Sequence, residues 1–130
     1  MGHAGQELTA DGATVEIAVA LHNLGALITL GLGGLGLLRP ALAARLTGLR
    51  AASAEGRSEF RATYGGLFAA LGAFALLAQD QVFFTGLGGA WVGTALGRAL
   101  SLWIDATRTP RNYAAVVFEA AVGLLLLVPS

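Results

Sequence analysis

Four apolar stretches, each of about membrane-crossing length, dominate this chain and constrain what it can fold into. They run from about Val15 to Leu38, Phe60 to Ala78, Val82 to Ile104 and Tyr113 to Val128. A helix needs about 20 residues to cross a hydrocarbon core. The fourth stretch is the shortest, at about 24 Å for a rise of 1.5 Å per residue. Arg39-Pro40 ends the first stretch and Pro129 closes the fourth. A soluble amphipathic helix needs a polar stripe for water, and "GALITLGLGGLGLL" offers none. The lengths, with no strict alternation, point to helices rather than barrel strands. The expected fold is all-α, an integral membrane four-helix bundle. Residues 1–14 are expected to form a polar arm, and residues 15–130 a single domain.

The charge balance agrees with a lipid environment. Only 12% of residues are charged, against about 25% in soluble domains. All eight basic residues are arginines, and the net charge is zero. Bulk charge therefore suggests no nucleic-acid partner. The chain has no cysteine, which excludes disulfides, thiolate metal sites and cysteine nucleophiles. The first residues, "MGHAGQELTADGATVE", carry Glu7, Asp11 and Glu16 and no basic run. No cleaved secretory signal is expected from them.

Arginine placement predicts a topology. The first connection holds Arg39, Arg45, Arg50, Arg57 and Arg61, and the third holds Arg108 and Arg111. The N-terminal arm and the tight turn "AQDQ" hold none. Positive connections stay in the cytoplasm, so both termini and Asp80 are expected on the outer side. In the first connection Leu42, Leu46 and Leu49 recur at helical spacing after Pro40, with Arg45 and Arg50 on other faces. This reads either as a short amphipathic helix in the cytoplasmic interface or as a solvated loop.

Lipid gives no hydrophobic drive for helices to associate, so small residues decide where they approach. The chain has nineteen glycines. Ala18, His22, Gly25, Thr29, Gly33 and Gly36 share a face of the first helix. Gly65, Ala69 and Ala73 share one on the second. Gly86, Ala90, Gly93, Gly97 and Ser101 share one on the third, and Asn112, Ala115, Glu119 and Gly123 on the fourth. Such faces suit either a tight bundle or docking on another subunit, a partner protein or a second copy.

The charged residues inside these stretches are the best lead to function. Arg98 lies about six residues, or about 9 Å, inside the cytoplasmic end of the third helix. Glu119 lies at similar depth in the fourth. An unpaired charge at the bilayer centre costs about 3 kcal/mol on insertion scales, so Arg98 and Glu119 are expected to pair. Trp91, Thr94, Ser101 and Asp105 fall on the Arg98 face at helical spacing, and Asp105 is a candidate second partner. The pair fits a register or snorkelling role. It also fits a polar pocket for a lipid-like, quinone-like or anionic ligand. Arg61 and Tyr64, at i and i+3, are either headgroup anchors or members of the same cluster. His22 lies towards the outer side, and only His3 stands as a second histidine. No metal site and no cofactor are expected. There is no GxSxG and no Ser/His/Asp constellation. "GLGGLG" at residues 31–36 lies inside an apolar helix, out of context for a dinucleotide loop.

"SEFRATYGGLFAALGAFALLA", "GLGGAWVGTALGRALSLWIDA" and Glu119 in a last apolar helix resemble a family of small bacterial four-helix membrane proteins, domain of unknown function 4345. The family pattern maps onto Arg61, Ala62, Tyr64, Gly65, Gly66, Gly97, Arg98, Asp105 and Glu119. Asp105-Ala106 stands where that pattern has Asp-Gly. The resemblance covers residues 20–128. It implies a bacterial inner-membrane protein and groups Arg61, Arg98, Asp105 and Glu119 in one cluster, with no assigned biochemistry. The expected role is a non-enzymatic accessory or scaffold subunit that docks through glycine-rich faces. Binding or transport of a small molecule at the Arg98/Glu119 cluster is the alternative.

Overall fold

The computed structural model describes residues 3–129, with side-chain environments from Asp11 to Pro129. The described residues form five helices and no strand: α1 (His3–Leu38), α2 (Pro40–Thr47), α3 (Ala54–Ala78), α4 (Gln81–Ile104) and α5 (Pro110–Leu126). Within α3 the turns from Phe60 to Leu67 widen to π-helical geometry. Two helices, over Asp11–Leu38 and Ala54–Ala78, are long and apolar enough to cross a membrane. Only 28% and 22% of an 18-residue apolar stretch within each is buried in the chain, whereas the core helix of a soluble protein is mostly covered. Of the four expected spans, the other two fall short on that measure. The α4 helix carries Arg98 and five glycines in 24 residues, and α5 has only 17 residues.

The segment expected as a polar arm is helical where it is described. From His3 onward those residues are helical and continuous with α1, while Met1 and Gly2 lie outside the described residues. Polarity alone does not break a helix, and no proline or other stop interrupts this segment.

The chain divides into two compact units, residues up to Gly25 with those from Asp80 onward, and Ala26–Gln79. In the first unit, the beginning of α1 packs with α4 and α5. The α4 and α5 backbones approach closely at Gly88 and Gly123. A methyl on Gly88 would lie 3.0 Å from the Gly123 carbonyl oxygen, and one on Gly123 would lie 2.7 Å from Val92 Cγ2. Gly25 faces Leu126 in the same way, at 2.6 Å from Cγ. Phe84, Leu87, Trp91, Leu102, Val122 and Leu126 fill the interior around these crossings. Trp91 meets Phe118 edge-on, with centroids 6.0 Å apart.

Helix ends in this unit are capped by the residues that sequence rules favour. Asp80 accepts from the Phe83 amide at 2.9 Å and opens α4. Thr109 accepts from the Asn112 amide at 3.3 Å, with Pro110 in the first turn of α5. Between them, Thr107 Oγ1 donates to the Ser101 carbonyl at 3.2 Å, and Arg108 Nε to the Leu102 carbonyl at 3.2 Å. The Arg108 guanidinium also lies 4.8 Å over the Trp103 ring. Orphan carbonyls at the end of α4 thus find donors within a short connection.

In the second unit, α1 from Ala26 onward runs against α3. A methyl on Gly36 would lie 2.6 Å from the Tyr64 carbonyl oxygen, and one on Gly65 would lie 2.8 Å from the Leu37 amide. Gly33 and Gly72 face the backbones at Ala69 and Leu30 just as closely. No side chain fits between the helices at these points. The first connection contains a helix, α2, whose Pro40, Ala43 and Ala44 are buried with Phe60. Gly48 ends it at φ 78°. The Leu49 amide reaches back to the Ala44 carbonyl at 2.9 Å and the Gly48 amide to Arg45 at 3.3 Å, a Schellman cap that requires a left-handed residue.

The small-residue face expected on the third helix does not pack within the chain. Gly86, Ala90, Gly93 and Gly97 are exposed, and a methyl on any of these three glycines would meet nothing within 4 Å. The packed face of α4 is instead Phe84, Leu87, Gly88, Trp91, Ala95 and Leu102. Both sides of this helix are apolar, so periodicity alone does not orient it. By contrast Gly25, Gly33, Gly36, Gly65 and Gly123 are buried at helix crossings. Gly72 and Gly88 do the same and were not singled out from sequence.

Candidate functional site

Arg98 on α4 and Glu119 on α5 meet within the first unit. Arg98 Nε donates to Glu119 Oε1 and Oε2, each at 3.0 Å, and Nη2 donates to Oε1 at 2.7 Å. This side-on fork is the stronger class of charge-assisted contact. The pair is unevenly covered. The Glu119 side chain is 8% exposed and that of Arg98 29%. The carboxylate is therefore the group that could not stand alone, since a buried charge without its partner is strongly destabilising. The guanidinium neutralises it, and the Arg98 side chain stays partly exposed.

The neighbours named from sequence divide into several local arrangements. Trp91 is buried against Phe118. Thr94 is exposed and returns its hydroxyl to the Ala90 carbonyl at 3.0 Å. Ser101 Oγ lies 3.3 Å from Thr107 Oγ1. Asp105 is exposed at the C-terminal end of α4, about 10 Å along the axis from Arg98.

Arg61 and Tyr64 lie in the second unit, in the π-helical turns of α3. Arg61 Nη1 donates to the Leu37 carbonyl at 2.6 Å. That carbonyl is among the last of α1, where unsatisfied oxygens and the helix dipole favour a cation. Tyr64 stacks on Phe60, with centroids 4.5 Å apart, and faces Phe68 at 6.4 Å. These contacts give both residues structural work within their own unit.

A second polar contact was not legible beforehand. His22 is 2% exposed, stacks on Phe84 at 4.7 Å, and its Nε2 lies 2.8 Å from the Val128 carbonyl oxygen. A carbonyl only accepts, so Nε2 carries the proton. Gln81 Nε2 approaches the same oxygen at 3.4 Å. Pro129 was the available signal. The final turn before it leaves carbonyls with no intrahelical donor, and a buried histidine is a suitable supplier. Among the described residues no group of three or more His, Cys, Asp or Glu is placed to hold a metal ion.

The family model for Domain of unknown function (DUF4345) matches residues 17–129. The chain belongs to this family. The matched region contains most of α1, all of α2 to α5 and both members of the Arg98–Glu119 pair. No curated protein and no solved structure matches the chain. The DUF4345 assignment carries no biochemical role, so the geometry must supply the functional reading.

Proposed function

We propose that this DUF4345 protein is a non-enzymatic, multi-pass protein of the bacterial inner membrane, with both termini on the outer side. It acts as an accessory or scaffold subunit. The single observation that carries this reading is the exposed face of α4. Gly86, Gly89, Gly93 and Gly97 have open space where a side chain would stand. In lipid, such faces are where another helix can approach most closely. Leu77 in one unit and Val82, Trp103, Ile104 and Val117 in the other are each widely exposed, which supports the membrane setting. The test is native mass spectrometry after gentle extraction. The wild-type chain is expected to carry a stoichiometric protein partner or second copy, and Gly93→Leu is expected to lose it without losing thermal stability. A wild-type chain that emerges alone overturns the reading.

A second reading rests on the 29% exposure of the Arg98 side chain. The Arg98–Glu119 site would then bind or help transport a lipid-like, quinone-like or anionic small molecule. In the same experiment this predicts a bound small molecule that Arg98→Leu with Glu119→Leu abolishes.

A further inference from the structure

We propose that α2 is a docking platform for anionic phospholipid. This rests on the membrane reading and adds the headgroup chemistry. The helix is two-sided. Pro40, Ala43 and Ala44 are buried with Phe60, which pins one side of α2 inside its own unit. Leu42 and Leu46, one turn apart on the other side, remain 42% and 61% exposed, and Leu49 beyond the Gly48 cap is 46% exposed. Arg39, Arg45 and Arg50 are exposed beside this row. The whole connection from Arg39 to Arg61 holds five arginines against Glu55 and Glu59.

Apolar side chains flanked by guanidinium groups match the boundary between acyl chains and phosphate headgroups. Arginine suits phosphate through its fork of donors. Position in the chain favours lipid over an acidic protein. The platform directly follows one helix able to span a membrane, ending at Leu38, and precedes another, starting at Ala54. Its leucines therefore stand where both spans reach an interface.

The absence of native cysteines allows clean site-specific labelling of the full chain. Leu46→Cys carries a spin label, with Leu67→Cys, exposed near the middle of the α3 span, as the control. Each is placed in nanodiscs of phosphatidylcholine alone or with one-third phosphatidylglycerol. Accessibility to oxygen and to a nickel chelate then reports immersion. The label at position 46 is expected to be shielded from nickel, and more so with phosphatidylglycerol. Native mass spectrometry of mixed-lipid samples should show phosphatidylglycerol retention falling about fivefold for each arginine replaced in Arg45→Gln and Arg50→Gln. Nickel access at position 46 with a shielded position 67 overturns the platform and leaves the membrane reading standing. Immersion that ignores lipid charge overturns the anionic preference. A protein that shields position 46 in native membranes but not in nanodiscs also overturns it, in favour of a partner. Nickel access at position 67 removes the membrane reading itself.

Discussion

At the residue scale, the Arg98–Glu119 fork separates pairing from mere proximity. Arg98→Leu leaves a buried carboxylate without its guanidinium, and breaking a buried pair costs about 3–5 kcal/mol. With the arginine partly exposed, about 2–3 kcal/mol is the expected loss. Arg98→Leu with Glu119→Leu removes both charges and is expected to be much less destabilising than the singles combined. Thermal melts in detergent measure the coupling, and strictly additive effects would show that the fork contributes no pairwise energy. Ala106 offers a test in the other direction. It adopts φ 51°, where an L-residue costs about 1–2 kcal/mol. The glycine expected after Asp105 from the family pattern has the physical reason that it avoids this penalty. Ala106→Gly is expected to stabilise by about 0.5–1 kcal/mol, after the entropy that glycine adds to the unfolded chain. An unchanged or lower melting temperature would contradict it.

At the scale of elements, the glycines fall into two populations with opposite expectations. Gly36→Ala drives a methyl to 2.6 Å from the Tyr64 carbonyl oxygen, and overpacking of this kind costs about 1–3 kcal/mol. Gly93→Ala meets nothing within 4 Å and replaces a poor helix former with the best, worth about 0.5–1 kcal/mol in the isolated chain. Melting curves of the two variants should therefore move apart. Sequence periodicity was informative on α1, where Ala18, His22, Gly25, Thr29, Gly33 and Gly36 are all buried. On α4 the small-residue face is left open, and a bulky apolar row packs within the chain. There the small residues at Gly86 and Gly93 stand opposite a bulky apolar row, and no polar stripe distinguishes inside from outside. The widened turns of α3 had no periodic signature at all. They coincide with "FRATYGGL", and π-helical turns recur at functional sites.

At the scale of the whole molecule, the places where α1, α3 and α4 end and the Arg98–Glu119 contact were legible. Both follow from apolar run length and from the cost of an unpaired charge. The division of the polar residues was not. Arg61 spends its guanidinium on the Leu37 carbonyl, and His22 spends its imidazole on the Val128 carbonyl. Backbone acceptors distant in sequence leave no trace in side-chain patterns. Orientation remains a matter of arginine placement. A reporter fused after Ser130 is expected to read as periplasmic, and a cytoplasmic signal would overturn the outward assignment of the termini.

The His22–Val128 contact also has a consequence in time. The unit from Ala26 to Gln79 is one unbroken segment, so it can assemble as soon as it leaves the ribosome. The other unit joins the beginning of α1 to residues near the far end of the chain. Synthesis proceeds at about 5–20 residues per second, so His22 waits several seconds for its acceptor to be made. Until then the early half of α1 holds a buried-type histidine with nothing to bond. That unit therefore closes only after the last helix has been made.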